Sequence, residues 1–483
     1  MAAIDELRAR LADLADLHAL GSLAAWDQQV MMPSEGSQAR AHQLAALDRL
    51  AHELAAADEV GEWLSEIEGD GSGLGDLDRD IVRIARRDYE RQRCVPAELV
   101  GELAQASSAG QSAWRKAREA SDFGAFAPAL RRNLELVREY AACFKDVPRA
   151  YDALLNNYDF GVPTERIQAV FTELAAGLTP LLADLPEARL LGALEVPYEA
   201  QKTAVEGTLK RIGVNEDRWR VDVSPHPFSE SLSQGDLRIT TRYEGEGVES
   251  LIAALHEFGH ALYERQIAPE LERTNLGHGT SMSMHESQSK LWENHVARSR
   301  AFAPVLAQEL ARGGYKIDAG ALSAALNQIR PSLIRVSADQ ITYPLHIILR
   351  FELELALIEG GLDVDDLPAA WNDGMARLLG VEVTDDAVGV LQDIHWAAGA
   401  FGYFPSYAIG CLIAAQLWAQ IETELGSQDA ALGKGDVAAI RDWLGERVHR
   451  HGRRLDTEAL VEQATGRGLE VEPFLAHARA LAG

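Results

Sequence analysis

One apolar stretch, LIAALHEFGHALY at residues 251–263, constrains this chain more than any other. Its large apolar residues recur at steps of four, three and four, which is the period of a helix with one buried face. These residues are Leu251, Leu255, Phe258 and Leu262. On such a helix His256 and His260 lie one turn apart and point the same way, with Glu257 beside them.

This HExxH spacing indicates a metal site. A catalytic zinc takes about three protein ligands and keeps one position open for water. His256 and His260 supply two of the ligands, and Glu257 would sit next to the open position as a general base. Metal-assisted hydrolysis is therefore the predicted chemistry. The alternative is a hydrogen-bonded histidine pair in the core, but burying two histidines and a glutamate unpaired would be costly.

Composition and charge narrow the class of protein. The chain has 483 residues, so two or three subdomains are expected from size alone. A net charge of -28 argues against nucleic acid and anionic membranes as partners, because both require a basic face. The three cysteines, Cys94, Cys143 and Cys411, form no CxxC pair and indicate neither a disulfide framework nor a thiolate zinc site.

The N-terminal residues MAAIDELRARLADLADL include Asp5, Glu6 and Asp13, where a signal peptide would need an uninterrupted apolar core. Every apolar run is shorter than the roughly 18 residues of a membrane span, and the nearest, at residues 408–421, contains Gln416 and Gln420. We therefore expect a cytoplasmic protein.

Helical periodicity dominates the chain. It predicts a first helix through Leu17, a second after Pro33-Ser34, and further helices after Pro96 and over residues 130–142 and 163–185. A glycine-rich break at 69–78 is read as a linker. From residue 281 to 482 the pattern is again helical, with loops at GGLDVDDL and GSQDAALGKGD.

Residues 219–244 differ, because they are rich in Val, Ile, Thr and aromatic residues. WRVDVSPHPFSES and DLRITTRYE, separated by Ser-Gln-Gly, predict two strands joined by a turn. The predicted sheet comes just before the HExxH helix. An exposed edge strand at that place could hold an extended peptide as a further strand.

The third ligand is not fixed by spacing. An extended HExxHxxGxxH motif is absent, since Tyr263 and Gln266 stand where it needs Gly and His. The next helical stretch offers Glu286 and Glu293, seven residues apart on one helix face. Its His285 and His295 are further candidates. A carboxylate would give a His2Glu site, which is a ligand set of zinc hydrolases.

Taken together, the later motifs resemble the Taq-type metallocarboxypeptidases, the thermostable carboxypeptidase 1 family. The motifs that carry the resemblance are DLRIT at 236–240, HEFGH at 256–260, HESQ at 285–288, IRVSAD at 334–339 and GVLQDIHW at 389–396. WDQQVMMP at Trp26 and FGYFPSY at Phe401 are similar to further family segments. Because these motifs occur in order along the chain, chance similarity is excluded.

The resemblance implies a mainly α, gluzincin-like zinc peptidase with a deep cleft and a small β-sheet beside the metal. It also implies a homodimer that binds peptides with a free C-terminus. We expect one catalytic unit over residues 1–483 with four parts. These are an N-terminal helical region covering the cleft at 1–80, a helical subdomain at 81–215, the sheet at 216–245 and a metal-binding subdomain at 246–483.

Residue by residue, the resemblance makes His256, His260 and Glu286 the metal ligands and Glu257 the base. It implies one Zn²⁺ per subunit, with Co²⁺ as an alternative. The activity implied is removal of single C-terminal residues with broad specificity.

Other site residues are candidates for a stated role. The oxyanion formed during hydrolysis needs hydrogen-bond donors, and the candidates are Tyr403, His226, His395 and Tyr407. Tyr403 is placed first because its segment is similar to one in zinc dipeptidyl carboxypeptidases. The ordinary interpretation of these residues is buried aromatics and capping histidines.

An exopeptidase must also bind a free carboxylate, for which the arginine fork is suited. Arg335 and Arg350 are the main candidates and Arg238 is the third. The alternative for each of them is a structural ion pair with Asp339, Glu352 or Glu354. Asp236 and Arg238 are alternatively expected to fix the strand or to orient a metal ligand.

Two other functions stay open. The first is a dipeptidyl carboxypeptidase or oligopeptide endopeptidase with the same zinc centre. The second is an acidic helical scaffold whose metal is structural, with every coordination position filled by protein.

Overall fold

A computed structural model describes residues 2–70, 73–183, 194–243 and 247–482 of the chain. In these ranges the protein is mainly helical with one small sheet, as predicted. The N-terminal helices are α1 (Ala2–Val30), α2 (Ser37–Ala55), α3 (Asp58–Asp70) and α4 (Asp76–Cys94). The next group is α5 (Ala97–Ala120), α6 (Phe123–Ala142), α7 (Ala150–Leu155), α8 (Thr164–Ala183) and α9 (Tyr198–Arg211).

The sheet separates these helices from the C-terminal half. Its strands are β1 (Trp219–Val223), β2 (Ser229–Ser233) and β3 (Asp236–Thr241). The following helices are α10 (Glu249–Arg265), α11 (Met282–Lys290), α12 (Ala303–Arg312), α13 (Ala319–Leu326), α14 (Thr342–Glu359) and α15 (Leu367–Leu379). The last helices are α16 (Phe404–Leu425), α17 (Asp429–Leu432), α18 (Ala438–Arg447), α19 (Thr457–Thr465) and α20 (Glu472–Ala482).

The predicted helices are present, but several of their bounds differ. The helix predicted over 130–142 begins earlier, at Phe123. The first helix continues to Val30, and a 3-10 turn at Ser34–Gly36 precedes α2. The glycine-rich break is shorter than predicted, because α3 extends to Asp70 and α4 begins at Asp76. Positions 71 and 72 of that break, and positions 184 and 185 of the helix predicted over 163–185, lie outside the described residues.

The prediction of two strands was wrong, because the first segment forms two strands instead of one. Pro225 and Pro227 interrupt it, and proline cannot donate a ladder hydrogen bond. The strand order is β1-β3-β2, with β1 parallel and β2 antiparallel to β3. The central strand is therefore DLRIT, and β2 forms one edge of the sheet. Glu244, the last residue of the predicted strands, is outside the described ranges.

The sheet packs on α10 and on α1. The Thr241 hydroxyl donates to the Ser250 carbonyl at 2.9 Å, and Trp219 stacks on Phe258 with 5.4 Å between ring centroids. On the other side, the Arg238 guanidinium lies 4.4 Å from the ring centre of Trp26 in α1. The N-terminal helices are thus attached to the same sheet that supports the HExxH helix.

Two glycines let three buried helices approach closely. A Cβ on Gly259 of α10 would lie 2.6 Å from the Gln288 carbonyl oxygen of α11. A Cβ on Gly410 of α16 would lie 2.7 Å from the Cβ and Cγ atoms of Glu286, also in α11. Both distances are shorter than van der Waals contact, so only glycine fits. α11 is consequently held tightly between α10 and α16.

α16 is long and apolar enough to span a membrane by composition, but 78% of its most apolar window is buried inside the protein. Its buried residues contact α11, α14, α19 and α20. In this structure α16 is a core helix.

Several histidines away from the HExxH motif are buried in the core. Burial lowers the pKa of His346 and of His449 to about 3, and that of His477 to about 4. An unfolded histidine has a pKa near 6.5, so below about pH 6.5 the unfolded chain binds protons that the native protein does not. The free energy of unfolding must therefore decrease as the pH falls from about 6.5 towards 4.

We predict that the melting temperature is constant from about pH 8 to 7 and falls steadily between about pH 6.5 and 5. The reason is that protonation of these histidines in the unfolded chain favours unfolding. Thermal melts followed by circular dichroism with EDTA present would measure it. In His477→Gln one titrating group is removed, so the melting temperature should fall less steeply as the pH decreases. Equal melting temperatures at about pH 7 and 5 in the parent protein would contradict the argument.

Candidate metal centre and active site

His256, His260 and Glu286 come together as the structure's candidate metal-binding group. Their ligand atoms all lie within 4.8 Å of one another. The Oε2 atom of Glu286 is 3.7 Å from the Nε2 atom of His256 and 3.7 Å from the Nε2 atom of His260. Two histidines come from α10 and the carboxylate comes from α11, which crosses it at Gly259.

This geometry fits a divalent ion. Two ligands that bind one zinc at about 2.0–2.1 Å can be at most about 4.2 Å apart, and a tetrahedral angle brings them closer. The observed 3.7 Å separations lie within that limit. The donors are two imidazole nitrogens and one carboxylate oxygen, which leaves room for water or substrate as a further ligand. The residues present therefore fit a catalytic metal centre.

Glu293, the alternative ligand by spacing, has another position. Its Oε2 atom accepts a hydrogen bond of 2.9 Å from Nδ1 of His256. With the proton on Nδ1, the lone pair of Nε2 faces Glu286 and is available to a metal. A π-helical turn at Leu291–Ala297 follows α11 directly. The two acids contact opposite nitrogens of one ring, since Glu286 lies 3.7 Å from His256 Nε2 and Glu293 lies 2.9 Å from His256 Nδ1.

Lys290 compensates the buried acids. Its ammonium lies 2.9 Å from Glu293 Oε2 and 3.7 Å from Glu286 Oε1. Burial lowers its pKa, but these carboxylates outweigh burial and keep the pKa well above its usual value. Burial alone would raise the pKa of Glu293. Lys290 and His256 lower it by more, so the pKa of Glu293 lies well below its usual value. Lys290 is thus charged and Glu293 ionised.

Glu257 is only 7% exposed and adjoins the ligand group. Burial and the nearby Glu286 charge raise its pKa to about 7, while His256 and a hydrogen bond with the Ser229 side chain oppose the shift. Ser229 begins β2, so an edge strand of the sheet lies beside the candidate base. The base, the ligands and the edge strand therefore face one region.

Three of the four predicted oxyanion donors lie next to one another. Tyr403 and Tyr407 lie at the start of α16, with 5.1 Å between their ring centroids. His395 lies next to them, its Nε2 atom 3.4 Å from the Tyr407 hydroxyl. Burial lowers the pKa of His395 to about 4 and raises the pKa of both tyrosines, so all three are neutral. His226 is an exposed residue of the β1–β2 connection.

Arg335 and Arg350 share one carboxylate, that of Asp393. Arg335 donates to Asp393 Oδ1 at 2.8 and 3.0 Å, and Arg350 donates to Oδ2 at 2.6 Å. Arg350 is completely buried and also donates to the His346 carbonyl oxygen at 2.7 Å. Arg335 is 7% exposed, and its guanidinium lies 5.1 Å from the ring centre of Tyr407. Arg335 therefore borders the tyrosines and Arg350 lies behind it.

The pairing partners predicted for these arginines were wrong. Asp339, which the sequence suggested, instead accepts from the Arg330, Ile341 and Thr342 amides around the start of α14. Arg238 makes a bidentate pair with Asp236 at 2.8 and 2.9 Å. The Arg238 guanidinium faces Trp26, and within the described ranges neither residue makes a hydrogen bond to His256, His260 or Glu286.

The other ligand candidates also have different contacts. His285 donates from Nε2 to Glu264 Oε1 at 2.8 Å. His295 packs on His477 and Trp418, with ring centroid distances of 4.5 and 5.6 Å. Neither belongs to the candidate metal group in the described part of the chain.

Sequence reasoning missed the supporting carboxylates. Asp393 was visible within the GVLQDIHW motif, but nothing in its spacing pointed to two arginines. Glu354 accepts from the Tyr151 hydroxyl at 2.6 Å, the Trp396 indole at 2.8 Å and the Gly402 amide at 3.0 Å. It therefore fixes the segment that carries His395 and Tyr403. Burial raises its pKa to about 7.

Comparisons with known proteins find similar proteins that match nearly the whole chain. A family model described as carboxypeptidase Taq (M32) metallopeptidase matches residues 6–481. The chain is 39% identical to thermostable carboxypeptidase 1 of Thermus thermophilus, covering 96% of this chain and 95% of that protein. It is 35% identical to carboxypeptidase 1 of Bacillus subtilis, covering 93% and 92%. The solved structure of Trypanosoma cruzi metallocarboxypeptidase 1 superposes with a TM-score of 0.96 at 32% identity, covering 100% of this chain and 99% of that chain.

The close contact at Gly410 yields a prediction about the metal centre. In Gly410→Ala the new methyl group would displace Glu286, whose Cβ and Cγ atoms lie 2.7 Å from its position. We expect the affinity for added Zn²⁺ to fall about 10- to 100-fold, as for other changes beside metal ligands. Competition with a chromophoric chelator would measure this.

Gly101→Ala is a matched control, because a Cβ there has no neighbour within 4 Å. It should bind Zn²⁺ as the parent protein does and be slightly more stable, since alanine favours a helix. Unchanged affinity in Gly410→Ala would show that α16 does not position Glu286.

Proposed function

The chain belongs to the carboxypeptidase Taq (M32) metallopeptidase family, and on that premise we propose that it is a zinc enzyme whose ion is held by His256, His260 and Glu286. It is a metallocarboxypeptidase, a peptide hydrolase that acts on peptides at their C-terminus. The observation that carries the metal assignment is the meeting of these three side chains within 4.8 Å.

The donor set supports zinc. Imidazole and carboxylate ligands in a three-ligand set with an open position are typical of catalytic zinc, and Co²⁺ accepts the same geometry. A bound ion would polarise the scissile carbonyl and lower the pKa of its water. One such group per subunit implies one ion per subunit. The lone pairs of both Nε2 atoms face Glu286, and the His256–Glu293 hydrogen bond fixes that orientation for one of them.

Glu257 is proposed as the general base. It would accept the proton of the attacking water and later deliver it to the leaving amine. Its burial keeps bulk water away from this carboxylate, and Ser229 of β2 restrains it. The edge of β2 is the proposed place for an extended peptide, whose backbone would add to the sheet there.

Tyr403 is proposed to donate to the oxyanion. Its hydroxyl keeps its proton at neutral pH, because burial raises its pKa. It lies in the same aromatic group as Tyr407 and His395, and Glu354 holds the backbone at Gly402 immediately before it. A donor with a fixed position costs no reorganisation when the negative charge forms. Tyr407 and His395 are placed to support Tyr403.

Arg335 is proposed to bind the C-terminal carboxylate of the substrate. It borders the tyrosines and has one guanidinium nitrogen with only a long contact, 3.4 Å to the Tyr343 hydroxyl. Asp393 holds it from the other side and Arg350 in turn holds Asp393. Such a chain of buried charges would fix the fork geometry before substrate binds.

Three further features of the resemblance remain proposals for this chain. They are broad specificity for the C-terminal residue, a homodimeric assembly and a cytoplasmic location. Peptides with a free C-terminus are the proposed substrates.

Replacement of Glu257 by Gln should separate chemistry from metal binding. We predict a loss of turnover of roughly 10²- to 10⁴-fold, because the base is removed while the ligands remain. Zinc content, measured by mass spectrometry after dialysis, should stay near one per chain. His256→Ala and Glu286→Ala should lose both zinc and activity.

Glu249→Gln changes an exposed glutamate of the same helix and should leave turnover intact. If Glu286→Ala kept a full complement of zinc, the proposed ligand set would be wrong and Glu293 would be the next candidate. A Glu257→Gln protein with normal turnover would exclude the proposed base.

Replacement of Arg335 by Met should affect only recognition of the free C-terminus. We predict that kcat/KM for a free-acid peptide falls about 10- to 100-fold, since a charge-assisted hydrogen bond is lost. Mass spectra of the digest would follow release of the last residue. A blocked peptide with an amidated C-terminus should be a poor substrate for both proteins.

Arg330→Met removes an exposed arginine and serves as the control. Equal cleavage of free and amidated peptides by the parent protein would contradict this mode of recognition. It would favour an endopeptidase, or a dipeptidyl carboxypeptidase if two residues left together.

A further inference from the structure

A cavity of about 430 Å³ lies between α4, α6 and the segment that follows α7. Three arginines line it, namely Arg87, Arg91 and Arg453. Asp88 is the one acid among its lining residues in the described part of the chain. The lining therefore has more basic than acidic side chains, in a protein whose net charge is -28.

Two of these arginines are neutralised. Arg453 donates to both carboxylate oxygens of Asp88, at 3.0 and 3.2 Å. Arg87 donates to Asp456 at 3.0 Å and stacks on Phe160, 4.2 Å from the ring centre. The charges of Arg87 and Arg453 are therefore largely compensated by acids of the protein itself.

Arg91 is different. Its Nη2 atom donates to the side-chain oxygen of Asn157 at 2.7 Å, and its guanidinium lies 4.4 Å from the ring centre of Phe144. Among the residues that the structure describes, it makes no ion pair with any acid. Its position is fixed by neutral partners while its charge remains available to a ligand.

The cavity adjoins the aromatic group of the active site through one shared side chain, that of Tyr158. Tyr158 lines the cavity, and its ring lies edge to face on Tyr403 at 4.9 Å. Tyr403 is 5.1 Å from Tyr407, which in turn is 5.1 Å from the Arg335 guanidinium. Contacts between these tyrosines therefore connect Arg335 with the wall of the cavity.

The cavity also reaches the metal-binding helix. Thr280 lines it and immediately precedes Ser281, which caps the N-terminus of α11. α11 carries Glu286, the candidate carboxylate ligand. The cavity is thus next to both the tyrosine group and the helix that carries the candidate carboxylate ligand.

We propose that this cavity is an upstream subsite that selects peptides with an acidic side chain, which Arg91 binds. The proposal rests on the function proposed above, since the direction of the peptide follows from Arg335. An extended chain advances about 3.3 Å per residue, so the acidic residue lies roughly three to five positions from the C-terminus. The carboxylate would receive the Nη1 and Nε donors of Arg91 that neutral partners leave free.

Peptides that differ at one position test this subsite. Acetylated alanine hexapeptides would carry Glu, Gln or Lys at the third, fourth or fifth position from the C-terminus. Initial release of the last alanine would give kcat/KM for each. We expect the Glu peptide to exceed its Gln counterpart about five-fold at one of these positions, and the Lys peptide to be slowest. The Glu preference should shrink at about 0.5 M salt.

The variants identify the residue responsible. In Arg91→Gln the ratio of the Glu to the Gln peptide should fall to about one, and Arg91→Lys should restore part of it. Arg93→Gln makes the same charge change two residues away on the exposed surface, where Arg93 pairs with Asp58, and should keep the full ratio. Melting temperatures would establish that each variant is folded.

Equal rates for Glu and Gln peptides in the parent protein at all three positions would overturn the proposal, as would an undiminished ratio in folded Arg91→Gln. A blocked dipeptide too short to reach the cavity distinguishes this outcome from failure of the proposed function. If the dipeptide is hydrolysed but the Glu and Gln hexapeptides react equally fast, the subsite alone is rejected. Absence of hydrolysis of every peptide would reject both.

Discussion

The burial of the Glu286 carboxylate, which is only 6% exposed, is the constraint on which the rest of the structure depends. An isolated buried charge would cost several kcal/mol, so its environment must supply opposite charge or hydrogen bonds. Here Lys290 lies 3.7 Å away, two imidazoles face the same carboxylate, and the Ser289 hydroxyl donates at 3.3 Å. A divalent ion at this place would complete the compensation. Charge balance and metal binding are therefore one property of the site.

The positions of these groups follow from the packing of backbone on backbone. α11 approaches α10 at Gly259 and α16 at Gly410, where no side chain larger than hydrogen fits. Because both contacts lie close to Glu286, a small movement of either helix would move the ligand. Asp159 adds a second link, accepting from the Ser283 amide at 3.1 Å and from the Ser406 hydroxyl at 2.5 Å. The metal-binding group is thus set by three helices whose relative positions are fixed.

The sequence was sufficient for features that depend on local pattern. The helix with His256 and His260 forms where its period predicts it, and Pro96 immediately precedes α5 as expected. The sheet was predicted in the right place, but its strand count was wrong because the effect of Pro225 and Pro227 on pairing was overlooked. Glu286 could be chosen over Glu293 only through the family resemblance. Which of the two acids faces Nε2 of His256 and which binds Nδ1 is a tertiary outcome that seven-residue spacing cannot reveal.

Pairings between distant residues were the least predictable. The acids expected to pair with Arg335 and Arg350 were Asp339, Glu352 and Glu354, but both arginines meet Asp393 from different segments. Two nearby acids, Asp339 and Glu354, satisfy backbone amides and neutral donors elsewhere. Sequence separation carries no information about such choices, because they are decided by which helices pack together.

The sharing of Asp393 by two arginines has a consequence for substrate binding. One carboxylate neutralises one guanidinium, so the buried group keeps a net positive charge that faces Tyr343 and Tyr407 through Arg335. A second carboxylate is the species that would balance this charge, and in the proposed function the C-terminus of a peptide supplies it. A peptide amide would leave the arginine uncompensated in a place with little water, where the missing partner costs more than at the surface. In the proposed function, the incomplete ion-pair network therefore discriminates between exopeptidase and endopeptidase substrates, and the metal centre does not.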